Sequence, residues 1–211
     1  MRIALMDLYT NAHHLKYASE LVAYLQDRGH QVMFITWAKD KRVYNALMKR
    51  FPSLTIVSLS KKGSSMGLDT SLLLRQIRTL RIYSKAFKEA ERWQADILHM
   101  LYVTSFIPHC LMSFKHWRLR LFGTMFGTPG LTTNNSGSVR AQISQSLLRF
   151  FFKQSVSRSF QGMFVHNVYP QKVKKEFEQL GSLSESRKKL IFLHDPIYEV
   201  ALLALKKQLK K

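Results

Sequence analysis

A single cysteine, Cys110, stands in the 211 residues, so no internal disulfide can form and a reducing compartment is the natural setting. It lies in an apolar stretch, which suits a buried structural thiol better than a nucleophile. Carboxylates are scarce as well: 13 Asp and Glu stand against 33 Lys and Arg, a formal charge of +20. So few acids weaken a two-carboxylate glycosidase. Long apolar runs are missing too. Leu101 to Phe114 comes nearest, and Pro108 and His109 interrupt it, whereas about 20 apolar residues are needed to span a bilayer. The apolar start, Ile3 to Met6, is too short for a signal peptide and has no cleavage site. The expectation is a cytoplasmic protein, peripheral at the inner face of the membrane.

Missing motifs narrow the chemistry further. The first loop has no G-x-G-x-x-G, which disfavours a dinucleotide, and no Gly-Lys-Ser/Thr marks a P-loop. There is no His/Cys cluster with zinc spacing and no Gly-x-Ser-x-Gly elbow. No cofactor and no metal are expected. Zinc fingers, RNP-type aromatic strands and helix-turn-helix signatures are also absent, so no specific nucleic acid is expected.

What is present is a core and a strongly biased charge. At 46% hydrophobic the chain can bury a real interior. Between Asp96 and Glu176 there is no carboxylate, while ten Lys and Arg lie there, Arg140, Arg149, Lys153 and Arg158 among them. Such a stretch sets up a field of one sign. An anionic membrane surface, nucleic acid or phosphorylated ligands could answer it, and a merely solvated basic face would look the same.

Short apolar runs alternate with helical patterns. Strands are expected at 2–6, 31–36, 54–59, 97–99, 119–124, 163–166 and 190–193. Between them, helices are expected near 12–28, 41–50, 69–93, 106–114, 139–157 and 170–181. Gly29 follows Leu15, Ala18, Leu21, Val22 and Leu25, and closes the first helix at its C′ position. This alternation predicts an α/β fold: an open parallel Rossmann-like sheet with helices on both faces. A domain over 1–199 and a basic C-terminal helix over 200–211 are expected.

Ligands of open parallel sheets bind beyond the carboxyl ends of the strands. That rule selects the loops Asp7–His14, His99–Ser105, Thr124–Asn135 and His166–Tyr169. Asn11, His13 and His14 lead into a helix N-terminus, a natural anion site. Adjacent histidines on a helix point about 100° apart, so His13 and His14 would not chelate one metal. Gly123 to Gly130 gathers three glycines with Thr124 and Thr128; Gly127 and its neighbours permit close backbone approach to an oxyanion, or serve a loop with demanding dihedrals. Asn11, His13, His14, Thr124, Gly127 and Thr128 are thus the candidate substrate-binding residues, with no catalytic residue singled out. Two helices mix apolar and basic residues: Leu72 to Ile82 with Arg75, Arg78 and Arg81, and Leu147 to Phe152 with Arg149 and Lys153. These five cations are the candidate membrane-facing set. A helix packed on a sheet shows the same apolar stripe.

Several pieces occur in a telling order: Arg2-Ile3-Ala4-Leu5, Leu21-Val22-Ala23-Tyr24-Leu25 running to Arg28-Gly29-His30-Gln31-Val32, and Ala95-Asp96-Ile97-Leu98-His99. Phe164-Val165-His166-Asn167 and His194-Asp195-Pro196-Ile197-Tyr198 follow. Together they resemble the N-terminal, acceptor-binding domain of GT-B glycosyltransferases of the family-4-like group. The resemblance implies transfer of a sugar from a nucleotide-sugar to a lipid-linked or polysaccharide acceptor at a membrane surface. It also implies that the nucleotide-sugar is held by a donor-binding domain, expected on a second chain or beyond the linker-like helix at 200–211. A non-catalytic membrane-binding or scaffold module on the same fold is the alternative.

Overall fold

The computed structural model describes residues 1–8, 12–37, 41–60, 72–103, 119–126, 146–147, 150–151, 160–167 and 190–194. Seven strands form one sheet, with the first three elements β1 (Arg2–Asp7), α1 (Ala12–Asp27) and β2 (Gln31–Thr36) making a βαβ unit. Next come α2 (Lys41–Arg50), β3 (Thr55–Ser58), α3 (Leu72–Arg92) and β4 (Ile97–Met100). The sheet is completed by β5 (Arg120–Phe126), β6 (Phe160–Asn167) and β7 (Leu190–His194). All seven expected strands are present, and every pairing is parallel. The spatial order is β3-β2-β1-β4-β5-β6-β7, so the chain first steps outward from β1 and then turns back past it. The order reverses between β1 and β4.

Right-handed crossovers explain where the helices go. Stepping from β1 to β2 to β3 puts α1 and α2 on one face; returning from β3 to β4 puts α3 on the other. The core divides accordingly. Ile3, Leu5, Val32 and Phe34 meet Ala18 and Val22 of α1 and Leu47 of α2. Ala4, Met6, Met33, Leu98 and Met100 meet Tyr83, Ala86, Phe87 and Ala90 of α3. Alternate residues of each strand thus feed two separate clusters, and both faces of the inner strands are dry. Side chains such as Phe34 and Phe87, at most 1% exposed, each contribute about 1.5–3 kcal/mol by leaving water.

Two helix ends are closed by the same hydrogen-bond pattern. His30 N–H donates to Leu25 C=O and Gly29 N–H to Gln26 C=O, with Gly29 at φ +72°. At the end of α3, Ala95 N–H donates to Ala90 C=O and Gln94 N–H to Glu91 C=O. There a glutamine, not a glycine, takes the left-handed turn, at φ 57°.

The main departures from expectation lie at the carboxyl ends of strands. Asp7, expected to open a polar turn, is the last residue of β1 and is 2% exposed. The glycine-rich segment expected to follow a strand begins inside one: Gly123 to Phe126 belong to β5. Gly123 is a packing position, because a Cβ there would stand 2.9 Å from the Phe160 ring and 3.0 Å from Val103. Cys110, the helices expected near 106–114 and 170–181, and the segment 200–211 lie outside the described residues.

Candidate functional site

The strand order reverses between β1 and β4, and in open parallel sheets ligands bind beyond the carboxyl ends of the strands at such a reversal. Asp7 ends β1 there. By strand alternation it shares a face with Ile3 and Leu5, the side covered by α1. Its register neighbours on that row are Thr36 of β2 and then Ser58 of β3, a polar row at the end of otherwise apolar strands.

α1 starts five residues after Asp7, and its third residue is His14. That first turn brings the imidazole back over the end of β1. His14 Nδ1 stands 3.1 Å and 3.3 Å from the two carboxylate oxygens of Asp7. Both side chains are almost fully buried, 4% and 1% exposed. The imidazole also lies against Tyr102, ring centroids 4.3 Å apart and tilted by 39°. Tyr102 stands two residues past the end of β4, and Leu101 N–H donates to Met6 C=O, which ties the ends of β1 and β4 together. One cluster therefore draws on the end of β1, the start of α1 and the end of β4.

A second polar pair lies on the same face, farther along the sheet. His99 Nε2 and Thr124 Oγ1 are 2.8 Å apart, joining β4 to β5. Thr124 is fully buried. The His99 ring faces Phe164 at 5.6 Å, and Phe164 stacks with Phe122 at 6.4 Å. The carboxyl-terminal edge thus presents a carboxylate–imidazole pair at the reversal, then an imidazole–hydroxyl pair, then an aromatic shelf.

Chemically, a histidine whose Nδ1–H donates to a carboxylate keeps a lone pair on Nε2 and a fixed ring orientation. That is the equipment for taking a proton from a hydroxyl. Among the described residues no group of three or more His, Cys, Asp or Glu could hold a metal ion.

The candidate substrate residues separate cleanly. His14 sits at the reversal, and Thr124 of β5 bonds to His99 of β4. His13 is on α1, with its side chain outside the description, and Asn11, Gly127 and Thr128 lie outside the described residues. Of the candidate membrane-facing cations, Arg81 is exposed on α3; Arg75 and Arg78 are on α3 without described side chains, and Arg149 and Lys153 fall outside. Sequence reasoning passed over Asp7, His99 and Tyr102 as contact partners. A carboxylate closing a run as apolar as Ile3 to Met6 is the signal that could have marked Asp7, because burial demands a partner for it.

No protein-family model and no curated protein matches this sequence. Solved structures do match. A Phytolacca americana UGT2, complexed with UDP-2fluoro-glucose and pterostilbene, overlays with a TM-score of 0.57 at 12% identity, over 92% of this chain and 54% of that one. A Glycyrrhiza uralensis UGT73P12, complexed with glycyrrhetinic acid 3-O-monoglucuronide, gives 0.53 at 8% identity, over 90% of this chain and 48% of that one. At these identities the likeness is one of fold: this chain has the Rossmann-like fold of one half of a GT-B glycosyltransferase. It spans about half the length of each of these two structures.

Proposed function

We propose that this chain is the acceptor-binding half of a glycosyltransferase, completed by a donor-binding domain or partner chain that holds a nucleotide-sugar. The acceptor is a hydroxyl of a lipid-linked or polysaccharide molecule at the membrane surface. A relation to the family-4-like group belongs to the same proposal. In the reaction the acceptor oxygen bonds to the anomeric carbon, the bond from that carbon to the nucleotide phosphate breaks, and the acceptor proton leaves to a base. The observation that carries the reading is the Asp7–His14 pair at the sheet reversal. His14 Nε2 is the base, with Asp7 holding the ring and Tyr102 setting its tilt. The domain boundary near 199 and the linker role of 200–211 are part of this proposal.

One observation favours the alternative, a non-catalytic membrane-binding or scaffold module. His14 is nearly as buried as any core residue, and a satisfied core histidine needs no substrate. The discriminating experiment isolates the native protein with whatever co-purifies and measures nucleoside diphosphate release from nucleotide-sugars in the presence of membrane lipids. Turnover that falls by about 100-fold or more in His14→Gln supports the base role. Vesicle binding with no turnover, in a preparation that holds every co-purifying chain, establishes the scaffold instead.

A further inference from the structure

The inner face of α3 is occupied: Ile82, Tyr83, Ala86, Phe87 and Ala90 are buried in the core cluster on that side of the sheet. Opposite them Arg81, Lys85, Lys88 and Arg92 are all exposed. At about 100° per residue these four cations fall within an arc of about 60°, and at about 1.5 Å per residue they form a line about 16 Å long. Arg92 shares its charge with Glu89, whose Oε1 stands 2.7 Å from Nη1. Among the described ion pairs none takes up Arg81, Lys85 or Lys88. Neighbours in this line are like charges one helical turn apart, which destabilises a helix until a counter-charge is supplied from outside.

The shape of the line selects that counter-charge. Glu89 and Glu91 lie about 80° to either side of Arg81 around the helix, so acids border the cations on both flanks. A bilayer presents a broad negative plane that would meet these carboxylates as well. A single-stranded nucleic acid is held by aromatic side chains on which its bases stack, and the aromatic residues between Arg81 and Arg92, Tyr83 and Phe87, are each 1% exposed. What fits is one strand of polymer with anionic groups along it and no bases. We infer that the outward stripe of α3 is a docking site for an anionic polysaccharide, whose carboxylate or phosphate groups meet Arg81, Lys85, Lys88 and the outer end of Arg92.

The direction of the stripe ties it to the sheet edge. Its Arg92 end lies at the amino ends of the strands, where the Arg2 guanidinium stands 4.8 Å over the neighbouring Trp93 ring and Arg2 N–H donates to Asp96. From there it runs along the strands toward their carboxyl ends, the edge that carries the Asp7–His14 pair. Identifying the docked polymer as the acceptor rests on the proposed transferase reading and narrows that acceptor to a charged polysaccharide. Docking itself needs no transfer chemistry.

The test is therefore a binding measurement on the full chain. Labelled polygalacturonate, with a carboxylate on each sugar, is titrated with the parent, with K85Q/K88Q, and with K16Q/K49Q, which removes exposed lysines from α1 and α2. The two variants lower the net charge equally. K85Q/K88Q is expected to weaken binding by about tenfold or more and to make its salt dependence shallower, while K16Q/K49Q stays within about threefold of the parent. Neutral dextran is expected not to compete. Equal losses in the two variants overturn the inference, because net charge alone would then account for binding. So does competition by poly-uridylate or phosphatidylserine vesicles at a lower charge concentration than polygalacturonate itself requires. His14→Gln is expected to bind the polymer as the parent does. Stripe-dependent binding in a chain without turnover supports the docking site and fails the transferase reading. Turnover on a neutral acceptor by a chain that ignores polygalacturonate overturns the docking site and leaves the transferase reading standing.

Discussion

His14 Nδ1 lies within 3.3 Å of both carboxylate oxygens of Asp7, and neither side chain is more than 4% exposed. Removing one member of such a pair leaves the other buried without its partner. Asp7→Ala and His14→Ala are each expected to cost about 3 kcal/mol or more. The double substitution is expected to cost less than their sum, with a coupling of about 1–3 kcal/mol. Urea unfolding of the four proteins measures the cycle, and strictly additive effects would show that the contact contributes nothing.

The His99–Thr124 hydrogen bond joins two strands through a hydroxyl that is fully buried. Thr124→Val keeps the shape and removes the hydroxyl, leaving the His99 nitrogen without that partner. A loss of about 1–3 kcal/mol is expected, with Thr124→Ser close to the parent. Equal midpoints for the valine and serine variants would contradict this.

Gly123 is limited by space. A Cβ would meet the Phe160 ring at 2.9 Å, Val103 at 3.0 Å and Met163 at 3.3 Å. Phe160 is 1% exposed and Val103 2%, so neither has open room to move into. Gly123→Ala is expected to destabilise by about 1–3 kcal/mol, seen as a lower unfolding midpoint at unchanged slope. A midpoint at or above that of the parent would mean that β5 and β6 part freely.

Gly29 is limited by dihedral alone, since nothing lies within 4 Å of a Cβ built on it. Its φ of +72° makes Gly29→Ala cost about 1 kcal/mol. The converse holds at Gln94, where φ is 57°. Gln94→Gly relieves the backbone but loses the exposed 2.9 Å bond from Arg2 to Gln94 Oε1. A net gain of up to about 0.5 kcal/mol is expected, because exposed side-chain bonds contribute little. Thermal unfolding of both variants checks the pair; a Gly29→Ala protein as stable as its parent would be the contrary result.

Much of this architecture is legible along the chain. Runs such as Val32-Met33-Phe34-Ile35 and Ile3-Ala4-Leu5-Met6 are apolar at every position, which only a strand buried on both faces requires. Boundaries differ at strand ends. Asp7 extends β1, and Met125 and Phe126 extend β5, where pairing across the sheet keeps them extended. The candidate site was legible as a set of loops and only partly as residues. His14 is marked by its place at a helix start, whereas Asp7 reads as a turn residue and Tyr102 carries no local signal.

Local pattern along the chain fixes the seven strands and helices α1 to α3, in order. The strand runs, the helical spacing of Leu15, Ala18, Val22 and Leu25, the glycine at the end of α1 and the charge imbalance are all local quantities. Periodicity and composition report them because they depend on neighbours a few residues away. Tertiary structure decided which side chains meet. Strand order set Asp7 of β1 beside the end of β4, where Tyr102 could reach His14. It made Gly123 a steric necessity against Phe160, and it turned Phe151 inward while Leu147 and Phe150 were left outside. Those outcomes arise from contacts between segments far apart in the chain, whose geometry exists only once the sheet has assembled.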